Sequence, residues 1–201
     1  MSSPAAMFRY AILISSVFLS GNASAIGTDT LTLGGNGGTA DWSLTCPPGK
    51  RVTGIFVRYS NVIHTIKFRC TGVASNGTWA ANSGMWTFQT SSDSPNPFSK
   101  QEIAGCKTDR LVAGFEVATK SIMTVSEPQL VVSSIVLACH KMNANEAFIG
   151  TSQFDSAGAA GGTWTPGYQY CPTGGVSKGA KGRRGWYLDS MALKCANPSA
   201  E

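Results

Sequence analysis

The chain has 201 residues, 16 Lys and Arg against 11 Asp and Glu, and a formal net charge of +5. No Lys/Arg run exceeds two residues, which leaves a nucleic-acid interface without a basic footprint. Charged residues make up 13% and glycines number 23; with no long amphipathic helical pattern, this composition favours an all-β domain.

The first element is a leader. Arg9 supplies a positive n-region, Tyr10–Leu19 is apolar apart from Ser15 and Ser16, and Ala23-Ser24-Ala25 is a small-residue cleavage site. The apolar run falls short of the roughly 20 residues that a membrane span needs. Residues 1–25 are therefore expected to be a signal peptide, leaving 26–201 as one mature domain that is secreted or extracellular, with a periplasmic destination left open. A retained N-terminal anchor is the competing expectation. Without Arg9 the mature charge is +4, and no later stretch could span a bilayer.

Leu33–Trp42 opens the mature chain with Gly34-Gly35-Asn36-Gly37-Gly38. Such a segment is a poor strand interior and reads either as an exposed loop whose backbone can approach something closely or as a flexible leader. Pro47-Pro48-Gly49-Lys50 is a turn, Arg51–Arg58 alternates as a strand, Ser60-Asn61 turns, and Ile63–Cys70 returns. Gly77–Gln89 carries Trp79, Trp86 and Phe88, the last two on one strand face and expected in the core. Thr90–Lys100 reads as a surface connection. Leu111–Thr119 and Leu130–His140 follow as strands, with an insertion around Val125–Gln129 and one helical turn expected at Ala144–Ala147. Phe154–Gly162 reads as a second small-residue loop, Gly182–Cys195 as a Gly-bounded loop running into a strand, and Asn197–Glu201 as a frayed tail.

Six cysteines punctuate this order: Cys46, Cys70, Cys106, Cys139, Cys171 and Cys195. An even count in an exported chain implies disulfides. Cys46 to Cys70 and Cys171 to Cys195 are each 24 residues apart, and Cys106 to Cys139 is 33. Eight residues after each first cysteine stands a glycine, Gly54, Gly114 and Gly179. Before each second cysteine, Ile66, Ile135 and Met191 occupy position −4, and Phe68, Leu137 and Leu193 occupy position −2. This period-2 pattern repeats three times. The expected bridges are Cys46–Cys70, Cys106–Cys139 and Cys171–Cys195, with bridges between repeats as the alternative. Repeats of about 31–89, 90–150 and 151–198, each too small to bury its own core, would share one. The expected fold is an all-β β-prism of three Greek-key-like four-stranded units about a pseudo-threefold axis. No C-x-x-C spacing occurs and only two histidines exist, so neither a metal nor another cofactor is expected.

The residues from Leu33 to Pro198 resemble the jacalin-related lectins. The resemblance is carried by the glycine loop Gly34–Gly38 followed by Trp42, by Val52–Tyr59 with Ile63–Phe68, by Val131–Leu137, and by Gly182-Arg183-Arg184-Gly185-Trp186-Tyr187-Leu188-Asp189-Ser190. The last is similar to that family's sugar-binding loop, G-x-x-x-D, here Gly185 to Asp189. Three cysteine pairs depart from the plant lectins, and a cysteine-bridged threefold plan is similar instead to the vitelline-membrane outer-layer proteins. Arg184 also stands where a small residue is common.

The resemblance implies reversible binding of a mannose- or glucose-type hexose, with glycans or glycoproteins as partners and a homo-oligomer as a source of avidity. Asp189 would accept hydrogen bonds from two sugar hydroxyls, charge-assisted and therefore strong. The N–H groups of Trp186, Tyr187 and Gly38 would donate, and Trp186 or Tyr187 would offer a ring face. Repeat one, with Ser60-Asn61-Val62-Ile63-His64, lacks both Gly and Asp, so one primary site is expected rather than three. Arg183 and Arg184 are either a solvated turn or contacts to an anionic glycan. The alternative function is a non-catalytic structural or protein-binding prism of an extracellular layer or host-interaction protein. An enzyme is not expected, because His64 and His140 have no evident nucleophile or acid partner and no close carboxylate pair is visible.

Overall fold

The apolar alternation that runs into each second cysteine builds a central strand three times over. The computed structural model describes residues 29–74, 78–80, 84–90, 100–124, 127–142 and 148–197. Its strands in chain order are β1 (Leu33–Gly34), β2 (Ala40–Thr45), β3 (Lys50–Tyr59), β4 (Ile63–Gly72), β5 (Met85–Thr90), β6 (Lys100–Gly105), β7 (Arg110–Met123), β8 (Pro128–Met142), β9 (Phe148–Gly158), β10 (Thr163–Trp164), β11 (Gln169–Tyr170), β12 (Val176–Arg184) and β13 (Leu188–Ala196). They form three antiparallel sheets. Sheet I runs β5-β4-β3-β6, sheet II runs β9-β8-β7 with β10 and β11 both on the far edge of β7, and sheet III runs β1-β13-β12-β2.

Each sheet is a central hairpin (β3–β4, β7–β8 or β12–β13) with both edges covered. The expected repeat bounds of 31–89, 90–150 and 151–198 do not follow the sheets. β6 lies beyond residue 90 yet completes sheet I, β10 and β11 lie beyond 150 yet complete sheet II, and sheet III takes β1 and β2 from the N-terminal segment. The cause is edge pairing. In sheets II and III the chain covers one edge of the hairpin, crosses its end, and covers the other edge. Both edges of the central hairpin are thereby paired. The fourth position of sheet II is split into β10 and β11, which makes that sheet five-stranded.

The threefold sequence register has a structural cause. In each hairpin the second cysteine faces the residue six positions after the first: Val52 opposite Cys70, Val112 opposite Cys139, Ser177 opposite Cys195. A register shift follows at once, ending on Gly54, Gly114 and Gly179. A Cβ there would stand 2.8 Å from the Ala104 carbonyl oxygen, 2.9 Å from that of Gln169 and 2.2 Å from that of Leu44. The outer strand approaches the bulge so closely that only glycine fits.

The bridges are Cys46–Cys70, Cys106–Cys139 and Cys171–Cys195, with Cα separations of 5.5, 5.5 and 5.6 Å. Each first cysteine lies just past the outer strand of one sheet and its partner lies in the next. Cys46 N–H donates to the Lys178 carbonyl of sheet III, Cys106 N–H to that of Thr53 in sheet I, and Cys171 N–H to that of Ala113 in sheet II. The disulfides therefore staple III to I, I to II and II to III. They are local in sequence and intersheet in space.

One core lies between the sheets. Ile55, Ile66 and Phe68 of sheet I meet Leu111, Phe115, Ile135 and Leu137 of sheet II and Leu188, Met191 and Leu193 of sheet III, all buried. Each such side chain contributes about 1.5–3 kcal/mol. Two expectations need correction, and the expected insertion gains its structural cause. Phe154–Gly162 is not all loop: Phe154–Gly158 belongs to β9, paired with Ala138–Ser134. The insertion near Val125–Gln129 lengthens the hairpin, since β7 runs to Met123 and β8 starts at Pro128. Trp86 is not core. It is half-buried opposite Arg69, whose guanidinium lies 5.8 Å from its ring centroid, while Trp79 is buried with its Nε1 donating to the Arg110 carbonyl. The leader, Ala144–Ala147 and residues 91–99 lie outside the described residues, as do the Phe88 side chain and the tail beyond Asn197.

Candidate functional site

The chain between β1 and β2, residues 35–39, crosses the end of the β12–β13 hairpin. Its path is set by main-chain bonds: Gly35 N–H donates to the Asp189 carbonyl (2.8 Å) and Thr39 N–H to the Arg184 carbonyl (3.0 Å). The glycine loop and the Gly185–Asp189 loop are thereby laid side by side. A Cβ at Gly37 would stand 2.6 Å from Asp189 Oδ1, and one at Gly38 2.6 Å from Asp189 Oδ2. Gly38 also has φ +79°, a conformation that side chains rarely adopt.

Asp189 is 2% exposed, and its Oδ2 is buried with no hydrogen-bond partner among the described residues. Burial pushes the carboxyl above the ordinary aspartate range, opposed by the Gly185 N–H and by the Arg183 charge. An unpartnered carboxylate oxygen is costly to bury, and the glycines around it leave no side chain to satisfy it. Gly185 is less crowded: a Cβ there would be 3.4 Å from Gly38 Cα.

The two aromatics have separate fates. Trp186 is 70% exposed. Tyr187 is half-buried and packs on His64 of sheet I, with ring centroids 5.1 Å apart. Of the pair, Trp186 is the one that presents a free ring face.

Sequence reasoning missed two contributors. Arg183 is exposed but is not an idle turn residue. Its Nη1 donates to the Asn36 carbonyl (2.9 Å) and its Nη2 to the Gly38 carbonyl (3.0 Å), with Asp41 3.6 Å from its Nε. It straps the glycine loop from below. Gln129, from the lengthened hairpin of sheet II, reaches the same loop, its Oε1 3.2 Å from where a Gly37 Cβ would be. No local pattern could reveal either contact, because both partners are distant in sequence. A shallow groove of about 500 Å³ lies beside this site rather than over Asp189, lined by Asn36, Asp41, Ser43, Lys181, Arg183 and Ser190 among others.

No family model and no curated protein matches the sequence. Solved structures do. Calystegia sepium agglutinin is 20% identical, with a TM-score of 0.55 over 85% of this chain and 97% of that one. A mannose-specific jacalin-related lectin from Morus nigra, solved with mannose, is 14% identical, with a TM-score of 0.53 over 85% and 94%. Artocarpin, solved with mannotriose, is 18% identical, with a TM-score of 0.53 over 84% and 99%. The fold is the β-prism of the jacalin-related lectins.

Within this β-prism the three units can be superposed by their cysteines. His64, Ser133 and Asp189 each stand six residues before a second cysteine. His64 Nε2 is 2.7 Å from Ser60 Oγ. Ser133 Oγ is 3.1 Å from the Ala118 carbonyl and 3.3 Å from that of Gly161. Gly158-Ala159-Ala160-Gly161-Gly162 copies the glycine loop: Ala159 N–H donates to the Ser133 carbonyl (2.8 Å), as Gly35 does to Asp189. A Cβ at Gly162 would stand 2.6 Å from Ser133 Oγ, as one at Gly38 would from Asp189. The middle unit keeps the loop but has no carboxylate. The repeat was visible in sequence, since G-G-N-G-G and G-A-A-G-G both follow a strand and end on paired glycines.

Proposed function

We propose that the chain, freed of residues 1–25, is a secreted carbohydrate-binding protein that recognises mannose- or glucose-type glycans without catalysis. Gly38, Gly185, Trp186, Tyr187 and Asp189 form its one site, and residues 26–201 act as one domain. The buried, unpartnered Oδ2 of Asp189 between two glycine-built loops carries this reading. Neighbouring sugar hydroxyls would supply the missing donors, and an ionised acceptor makes those bonds strong. The N–H groups of Gly38, Trp186 and Tyr187 would donate to sugar oxygens, and Trp186 would cover an apolar sugar face. Because Asp189 is closed over by Gly37 and Gly38, the glycine loop must shift for a hexose to reach it. The energy of that shift weakens single-site affinity, so useful avidity calls for several sites in a homo-oligomer.

The test is retention on mannose, glucose and galactose resins. Wild type should be held by mannose or glucose resin and Asp189→Ala should flow through. No retention of wild type, or equal retention of the variant, overturns the assignment.

A further inference from the structure

The outer faces of sheets I and II differ at positions that the threefold plan makes equivalent. On sheet I the residue before the second cysteine is Arg69, whose guanidinium lies 4.8 Å from the Trp79 ring centroid and 5.8 Å from that of Trp86. Two residues earlier Lys67 stands 5.1 Å over the Phe56 ring. The aromatic face of sheet I is thus covered by its own cations.

On sheet II those positions are Ala138 and Val136. The ring opposite is kept: Phe154 pairs with Ala138 as Trp86 pairs with Arg69. Phe56, two residues past the bulge glycine, is replaced by Glu116. Around it the rings form a chain of contacts, His140 to Tyr170 at 5.3 Å, Tyr170 to Tyr168 at 6.0 Å, and Tyr168 to Phe154 at 4.9 Å. Phe154 is 50% and Tyr170 42% exposed. Glu116 is half-buried and forms no salt bridge with any described residue. Tyr170 pairs with Gly114 and Gln169 with Phe115, so the next residue of β7, Glu116, lies abreast of Tyr168 and on the face of Gly114. Burial, and then the Glu116 charge, raise the phenols of Tyr168 and Tyr170 above the ordinary range. Sheet I shows what such rings take in this fold, and sheet II has exchanged the cation for a carboxylate.

We propose that the outer face of sheet II is a second binding surface, separate from the Asp189 site, that receives an arginine side chain of a partner protein, its guanidinium stacked on Phe154 and Tyr170 and paired with Glu116. Guanidinium suits the place because it stacks on rings and pairs with a carboxylate at once, with weaker hydration than an ammonium.

The experiment is an NMR titration of the full mature protein with N-acetyl-arginine amide, using its neutral isostere N-acetyl-citrulline amide as control. Arginine amide should shift the ring signals of Phe154, Tyr168 and Tyr170 saturably, and citrulline amide should not. Glu116→Gln should weaken binding about three- to fivefold, the scale of one exposed ion pair. Phe154→Leu, which keeps apolar bulk at an exposed position, should weaken it as well, and Asp189→Ala should leave it unchanged. Equal shifts from citrulline, unaltered binding in Glu116→Gln or Phe154→Leu, or mannose shifting the same rings would each overturn the proposal. Loss of sugar binding alone would bear only on the other site.

Discussion

Gly38 and Asp189 are 151 residues apart in the chain, yet a single methyl group added to the glycine would lie 2.6 Å from the aspartate Oδ2. The same methyl would lie 2.6 Å from the Arg184 carbonyl carbon. Two distant loops are therefore packed backbone against carboxylate.

Gly38→Ala should displace the glycine loop. The positive φ and the clash together should cost about 1–3 kcal/mol, or roughly 2–12 °C of melting temperature for a domain of this size. Sugar retention should be lost. Gly185→Ala, with no atom nearer than 3.4 Å, should melt within a degree or two of wild type. Scanning calorimetry of both variants checks this.

Asp189→Asn should separate stability from binding. The folded-state pKa of Asp189 is raised by burial, so the group favours folding below its unfolded pKa, and that contribution is lost as pH rises through the folded pKa. The Asn variant should therefore be at least as stable as wild type at pH 7 and gain nothing at pH 3. Sugar affinity of wild type should fall on acidification, starting above the ordinary aspartate value of 3.8, because the acceptor becomes protonated. Melting curves and sugar titrations from pH 7 to pH 3 read both effects.

Much of the scaffold was legible because its constraints are local. Cysteine spacing, the bulge glycines Gly54, Gly114 and Gly179, and the alternation before Cys70, Cys139 and Cys195 all fall within single hairpins. Sheet membership was not legible. Nothing near β6 or β2 says that its hydrogen-bonding partner is β3 or β12, and edge pairing alone decides it. The candidate site was half legible. Gly38 and Asp189 announced themselves through loop composition, but the Arg183 strap and the Gln129 contact exist only after folding. Trp86 was misplaced because alternation gives a shared face and not which face; Arg69 lets that ring sit outside.

The disulfide cycle predicts that any one bridge matters to all three sheets. Replacing Cys171 and Cys195 together by serine should cost about 3.5 kcal/mol for a loop of 24 residues, and the melt should remain one transition, because the core is shared. Non-reducing peptide mapping of wild type should recover the three pairs, and a different pairing would refute the cycle.

Sheets I and II are also joined by Glu102. Its Oε1 accepts from the Tyr59 hydroxyl at 2.6 Å, and its Oε2 accepts from Gly158 N–H at 3.0 Å. The Tyr59 phenol is pushed up to about 12, first by this bond. A raised folded pKa means stability that is full below the unfolded value of 10 and lost as pH rises towards 12. Wild type should lose stability across that window more steeply than Tyr59→Phe. The lowered Glu102 pKa adds stability that is lost as pH falls through its folded value. Denaturant midpoints measured from pH 3 to pH 12 check both limbs.

The most direct measurement is isothermal titration of the mature protein with mannose and with glucose at pH 7, beside Asp189→Asn. Saturable binding of one of these sugars at one site per chain, abolished in a variant that melts at or above the wild-type temperature, is the predicted result. No binding by wild type, or undiminished binding by the folded variant, would contradict it.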